Sequence, residues 1–252
     1  MEFHTLGALE VSCEGTPVPI TGTRRRALLA ILLVYPGQVV PMDVLIDALW
    51  PTGLPANPEA SIRFHIWKLR QTLDQHDPHH EEQPSSIRCA ASSYKIPLES
   101  NLFDNLELAT AVESARAVIG TEPSAALATL QDALGRWRGF PFEELRYVEY
   151  AQATIHRLRE LHLEAQLLSS ESLLGLGRHR EAVPTLEGLV AEHPLTEPLW
   201  TLLLTAMWRC GRPADALVQY NRMETKLENE MGMKPSRELQ QLKQRLLVDQ
   251  PV

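Results

Sequence analysis

The stretch from Asn57 to Leu73 constrains this chain more than any other. Asn57 is a natural N-cap. Pro58 occupies the first helical position, where its missing N–H costs nothing. Ile62, Ile66, Leu69 and Leu73 recur at steps of four, three and four, which defines one buried face of a helix. The other face carries Arg63, Phe64, Trp67, Lys68 and Gln71, where a surface helix normally shows Glu, Lys and Ser. Cations and large apolar groups together suit a DNA major groove. There cations meet phosphates and base acceptors, and apolar groups meet thymine methyls. The same pattern also suits a helix packed on both faces, and on this helix alone the two readings stay open.

The flanking sequence supplies context. Phe3–Val11 alternates loosely between apolar and polar residues, and a turn signal follows at Gly15-Thr-Pro. A small N-terminal sheet of two to four short strands is expected. Thr21-Gly22-Thr23 offers a cap for a helix that runs from Arg24 to Tyr35 and stops at Pro36-Gly37. Arg24, Arg25 and Arg26 fall in its first turn, where they oppose the helix dipole unless an anion such as a phosphate sits there. A solvated basic turn is the other reading. Met42–Trp50 is a short second helix, with Val44, Leu45, Ala48 and Leu49 expected inward. Helix, short helix, loop and third helix is the helix-turn-helix order, with the last helix as reader.

The polar stretch from Asp74 to Ser86 contains His76, His79 and His80. No second cluster stands at a metal-binding spacing, so a solvated loop is expected and no metal or cofactor. Ile87–Cys89 and Tyr94–Ile96 read as two strands around a turn at Ala91–Ser93, the hairpin called a wing. A first domain therefore spans residues 1–100 and a second 101–252.

From Leu102 onward the pattern is helical, with helices expected near 102–118, 123–136, 143–173, 178–192, 196–210, 213–228 and 236–248. Leu176-Gly-Arg-His-Arg-Glu-Ala182 recurs as Cys210-Gly-Arg-Pro-Ala-Asp-Ala216, and Gly120 to Ala125 shows the same five-residue step. A period of 34 residues is that of tetratricopeptide repeats, about 34 residues per helix pair. The fold class expected is mainly α: an α+β winged helix-turn-helix followed by an all-α tetratricopeptide-like domain.

Charge bears on partners. The net charge is −8, with 8 Lys/Arg against 11 Asp/Glu in residues 1–100 and 16 against 21 in 101–252. Neither half is basic, so nucleic-acid binding would need local clusters or several protomers. No apolar run reaches the ~18 residues that cross a membrane. No signal segment is apparent, and three widely spaced cysteines suit a cytoplasmic protein.

The chain resembles the SARP family, the antibiotic regulatory proteins of actinomycetes, over nearly all of residues 3–250. The resemblance is carried by Leu6-Gly-Ala-Leu-Glu-Val11, Arg26-Ala-Leu-Leu-Ala-Ile-Leu-Leu33, Asp43-Val-Leu-Ile-Asp-Ala-Leu-Trp50, His65-Ile-Trp-Lys-Leu-Arg70, Arg136-Trp-Arg-Gly139, Leu176-Gly-Arg-His179, Glu192-His-Pro-Leu195 and Gly232-Met-Lys-Pro-Ser236. The family joins an OmpR-type winged helix to a bacterial transcriptional activation domain. By that resemblance the protein binds direct repeats in double-stranded DNA upstream of a biosynthetic gene cluster. It would recruit RNA polymerase holoenzyme and activate transcription, and self-association of protomers on tandem repeats would compensate for the poor net charge. The resemblance places Arg63, Phe64, Trp67 and Lys68 toward the groove, Arg70 on phosphate, and Ser92, Ser93, Tyr94 and Lys95 at the wing tip. Two departures stand out. The family's wing usually reads Gly-Tyr-Arg, where this chain has Ser93-Tyr94-Lys95, and Trp67 replaces a smaller or basic residue.

Two other function classes compete. A scaffold would use the repeats to hold a protein partner without direct DNA readout. An enzyme would need a catalytic constellation, and the sequence has no nucleophile elbow, dinucleotide loop or metal-spaced His/Glu pair.

Overall fold

The structure is a computed structural model that describes residues 1–78, 87–90, 92–98 and 101–248. The expected loop histidines His79 and His80 lie outside the described residues. Two compact units are formed: Met1–Ala111 with Asp132–Leu163, and Val112–Gln131 with Glu164–Val252.

The first unit opens with a four-stranded sheet in the order β3-β2-β1-β7. Its strands are β1 (Glu2–His4), β2 (Glu10–Cys13), β3 (Thr16–Pro17) and β7 (Leu102–Phe103). The β2–β3 hairpin turns through Glu14 and Gly15, both at positive φ (49° and 76°), as a two-residue turn with the right twist requires. β7 pairs parallel to β1, and Phe3 stacks on Phe103 with ring centroids 5.6 Å apart. The helix expected from Leu102 therefore starts two residues later, because Leu102–Phe103 is drawn into the sheet.

Asp104, the first residue of α4 (Asp104–Val118), is buried. Its carboxylate accepts the Thr5 N–H at 2.8 Å, the Leu6 N–H at 3.0 Å and the Thr5 hydroxyl at 3.0 Å. A buried carboxylate needs such donors, and the N-terminal end of a helix favours it further. The segment after α5 (Pro123–Gly135) closes on the same strands. The Arg138 N–H donates to the Leu6 carbonyl at 2.7 Å and the Phe142 N–H to the Thr5 carbonyl at 2.8 Å. Phe142 takes a left-handed conformation (φ 52°) and a 3-10 turn follows at Glu143–Leu145. These ties displace the helix expected from 143, and α6 instead runs Glu149–Gly175.

The helix-turn-helix follows the expected order. α1 (Thr23–Leu33) buries every residue from Leu28 to Leu33, and α2 (Met42–Leu49) and α3 (Pro58–His76) pack on it. Asn57 caps α3 by accepting the Ala60 N–H at 3.0 Å, and Ile62, Ile66, Leu69 and Leu73 are all buried. β4 (Val40–Pro41), β5 (Arg88–Ala90) and β6 (Ser93–Lys95) form a second sheet in the order β4-β6-β5.

In the second unit α7 (His179–Glu192), α8 (Glu197–Arg209), α9 (Pro213–Met231) and α10 (Arg237–Leu247) pack in succession, with α10 against both α8 and α9. The 34-residue repeat is present in atomic detail. Gly177 and Gly211 both adopt positive φ, 73° and 75°. After α6, the Arg178 N–H reaches the Leu173 carbonyl and the Gly177 N–H the Leu174 carbonyl. After α8, Arg212 and Gly211 bond Met207 and Trp208 in the same way. Each is a Schellman turn, which satisfies helix-end carbonyls and reverses the chain. Arg178 then pairs with Glu181 and Arg212 with Asp215, while Ala182 and Ala216 are both buried. The step from Gly120 to Ala125 is not a third copy. Gly120 lacks the left-handed conformation, and Ala125 is exposed while Ala126 is buried.

Candidate nucleic-acid interface

The buried stripe of α3 fixes which side chains point outward. Phe64 and Trp67 are 55% and 53% exposed, with ring centroids 6.1 Å apart. The Lys68 ammonium lies 4.5 Å from the Trp67 ring centroid and 3.2 Å from the Gln71 side-chain oxygen. Arg63 is exposed and pairs with Glu59 one turn back at 2.8 Å. Such an exposed pair is worth little in water, so a phosphate or base acceptor can replace Glu59 at small cost. Arg63, Phe64, Trp67 and Lys68 thus form one continuous surface. Two aromatic rings at the surface gain nothing from solvent.

The start of α1 lies beside α3. The Arg24 guanidinium sits 5.7 Å from the ring centroid of buried Trp50. Arg25 donates to the Thr21 hydroxyl at 3.1 Å. Between the helices is His65, half-buried, with its Nδ1 buried and without a hydrogen-bond partner among the described residues. Burial, and then the Arg25 and Arg24 charges, push its pKa below the ordinary histidine value. His65 and Trp50 stand in stretches that carry the resemblance, but the sequence assigns neither of them a role at the site. The signal available was a histidine at the edge of the buried stripe, one residue from Ile66.

Three expected contacts take a different form. Arg26 is turned inward. Its guanidinium donates to the Glu144 carboxylate and to the Leu9 carbonyl, and Glu144 also accepts the Leu9 N–H. A carboxylate 118 positions away thus holds the third arginine in the framework. Arg70 donates through Nε to the Ile87 carbonyl at 2.9 Å, so it braces the first wing strand against α3. Tyr94 is only 6% exposed and faces Val40 and Cys89 across the second sheet. Strand alternation puts its neighbours Ser93 and Lys95 on the opposite side, where both are half-buried. Tyr94 therefore anchors the wing, and Ser93 and Lys95 are the residues turned away from that core.

Comparison with known proteins decides the family. Residues 100–247 match the bacterial transcriptional activator domain, and residues 15–88 match the C-terminal domain of transcriptional regulatory proteins. The chain is 30% identical to the regulatory protein DnrI of Streptomyces peucetius, covering all of this chain and 93% of DnrI. It belongs to the SARP family.

Other SARP-type relatives are longer. The transcriptional regulatory protein EmbR of Mycobacterium tuberculosis is 32% identical over the whole of this chain, which spans 64% of EmbR. AfsR of Streptomyces coelicolor is 34% identical, and the match covers 24% of AfsR. The solved structure of EmbR in complex with a low-affinity phosphopeptide superposes with a TM-score of 0.87 at 31% identity, covering all of this chain and 66% of that one. This SARP chain thus spans less than two-thirds of EmbR and about a quarter of AfsR. No helix among the described residues is long and apolar enough to cross a membrane.

Proposed function

We propose that this protein is a sequence-specific transcriptional activator of a secondary-metabolite gene cluster, acting on the bacterial nucleoid in the cytoplasm. Residues 1–100 bind direct repeats near the promoter, and residues 101–252 recruit RNA polymerase holoenzyme. The observation that carries this reading is the outer face of α3, where two exposed aromatics stand among Arg63 and Lys68. Lys68 and Arg63 supply donors to base acceptors, and Phe64 and Trp67 meet thymine methyls. Arg24 and Arg25 hold phosphate at the start of α1, where the helix dipole also favours an anion. Ser93 and Lys95 support from the wing. Arg26, Arg70 and Tyr94 act by holding these elements in place. The overall charge of −8 opposes DNA, so protomers that associate side by side on tandem repeats offset weak individual binding.

The test is a gel-shift titration against genomic fragments upstream of neighbouring biosynthetic genes, at two salt concentrations, with Lys68→Ala beside the native protein. A tight shift that Lys68→Ala weakens is expected. A folded protein that shifts no fragment in preference to bulk DNA would overturn the reading.

A further inference from the structure

The second unit carries a groove that DNA binding leaves unused. It encloses about 500 Å³ between α6, α8 and the start of α10. Leu167, Leu168 and Leu202 form an apolar floor. Glu164, Glu171, Glu197 and Glu238 surround it, and no lysine or arginine is among its lining residues. The arrangement follows from helical spacing: Glu164, Leu168 and Glu171 lie on one face of α6, and Glu197 and Thr201 on one face of α8.

The glutamates are differently held. Glu164 pairs with Arg116, and Glu197 accepts the Ser236 N–H at 2.9 Å. Glu197 and Glu238 also sit in the first turns of α8 and α10, where the helix dipole stabilises their charge. Glu171 and Glu238 are exposed and carry no ion pair among the described residues. The rim is thus fixed and negative, with two carboxylates available, above leucines that are only half-buried.

We propose that this groove docks a cationic, leucine-bearing helical segment of a protein partner. Charge complementarity requires lysine or arginine on the occupant. The leucine floor requires an apolar face between them, which an amphipathic basic helix has and a polyamine lacks. Nucleic acid and phosphopeptides are repelled by the same rim. The DNA-binding face lies on other helices, so the two proposals fail separately.

The experiment uses the full chain and three labelled probes: a synthetic amphipathic helix of leucine and lysine, the same peptide with glutamate for lysine, and spermidine. Each is titrated by fluorescence anisotropy. One variant combines Glu171→Lys with Glu238→Lys. A control combines Glu187→Lys with Glu192→Lys, which changes net charge equally on the exposed face of α7. The lysine peptide should bind saturably and lose about tenfold or more in affinity in the first variant, while the control stays near the native value. The DNA shift should be unchanged in both, and thermal melts should show both folded at the assay temperature, with a small loss in the first variant because a cation at position 238 opposes the α10 dipole. The proposal is overturned by equal losses in the two variants, by no saturable lysine-peptide binding, or by equal or tighter binding of the glutamate peptide or spermidine.

Discussion

α3 and α10 bury themselves in the same way and differ in what they leave outside. α3 buries Ile62, Ile66, Leu69 and Leu73, and α10 buries Leu239, Leu242 and Leu246, both at helical spacing. Each begins with a side-chain cap, Asn57 in one and Ser236 in the other. Along its length the outer face of α10 carries Gln241, Gln244 and Arg245, which suit water, and it exposes an apolar side chain, Leu247, at its last residue. That of α3 is Arg63, Phe64 and Trp67. Burial explains the inner side of both helices, and solvation explains the outer side of α10 alone. On the proposed function the outer side of α3 meets DNA, which accepts cations and apolar rings together.

The largest effects should fall equally on the two helices. Ile66→Ala and Leu242→Ala should each destabilise their unit by about 2–5 kcal/mol, read by urea titration. A much smaller loss at Ile66 would mean that α3 is not held by its stripe. The outer faces should then diverge. Lys68→Ala should weaken specific DNA binding by about 1–3 kcal/mol with little change in melting temperature. Gln241→Ala should change neither.

A finer distinction concerns the aromatics. Phe64 and Trp67 lie 6.1 Å apart, close to two base-pair steps of about 3.4 Å each. Replacing thymine by uracil in the half-site removes a methyl and leaves the pairing edge intact. A loss of about 0.8 kcal/mol per methyl, roughly fourfold, is expected with the native protein and should vanish with Trp67→Ala. A uracil effect that persists in Trp67→Ala would assign the methyl contact elsewhere.

The arginines at the start of α1 divide in the same spirit. Arg24→Ala should lower the slope of log affinity against log salt by about 0.9, one phosphate contact, on all sequences alike. Arg26→Ala should instead lower stability, because it leaves the Glu144 carboxylate without its guanidinium.

How much of this was legible in the sequence depends on the range of the interaction. The cap, the N-terminal proline and the stripe of α3 are all local, and sequence alone locates them. The Schellman turns at Gly177 and Gly211 are equally local. The inward turn of Arg26 depends on Glu144, and the strand at Leu102–Phe103 on β1 some hundred positions earlier. A two-residue strand has too few residues to show alternation. The family resemblance places Tyr94 at the wing tip, whereas the sequence pattern alone puts it in a strand. Its burial is set by β4, which carries Val40 opposite it.

The smallest effect is a pH dependence. In the folded chain His65 resists protonation through burial and then the Arg25 and Arg24 charges, and His179 does so through burial and then Arg209. The unfolded chain, with histidines near their ordinary value of 6.5, therefore binds more protons. Stability should be full above that value and decline as pH falls below it. His65→Gln should flatten part of that decline in thermal melts. Melting curves that steepen in His65→Gln would contradict this role.

The most direct test places a photoreactive phenylalanine at position 67, with the same group at position 241 as the control. The protein is irradiated with promoter DNA and RNA polymerase both present. Crosslinking of position 67 to bases within the repeat, with none from position 241, is expected if the outer face of α3 reads DNA. Crosslinking of position 67 to protein alone, with the DNA shift intact, would contradict it and make that face a protein-docking surface.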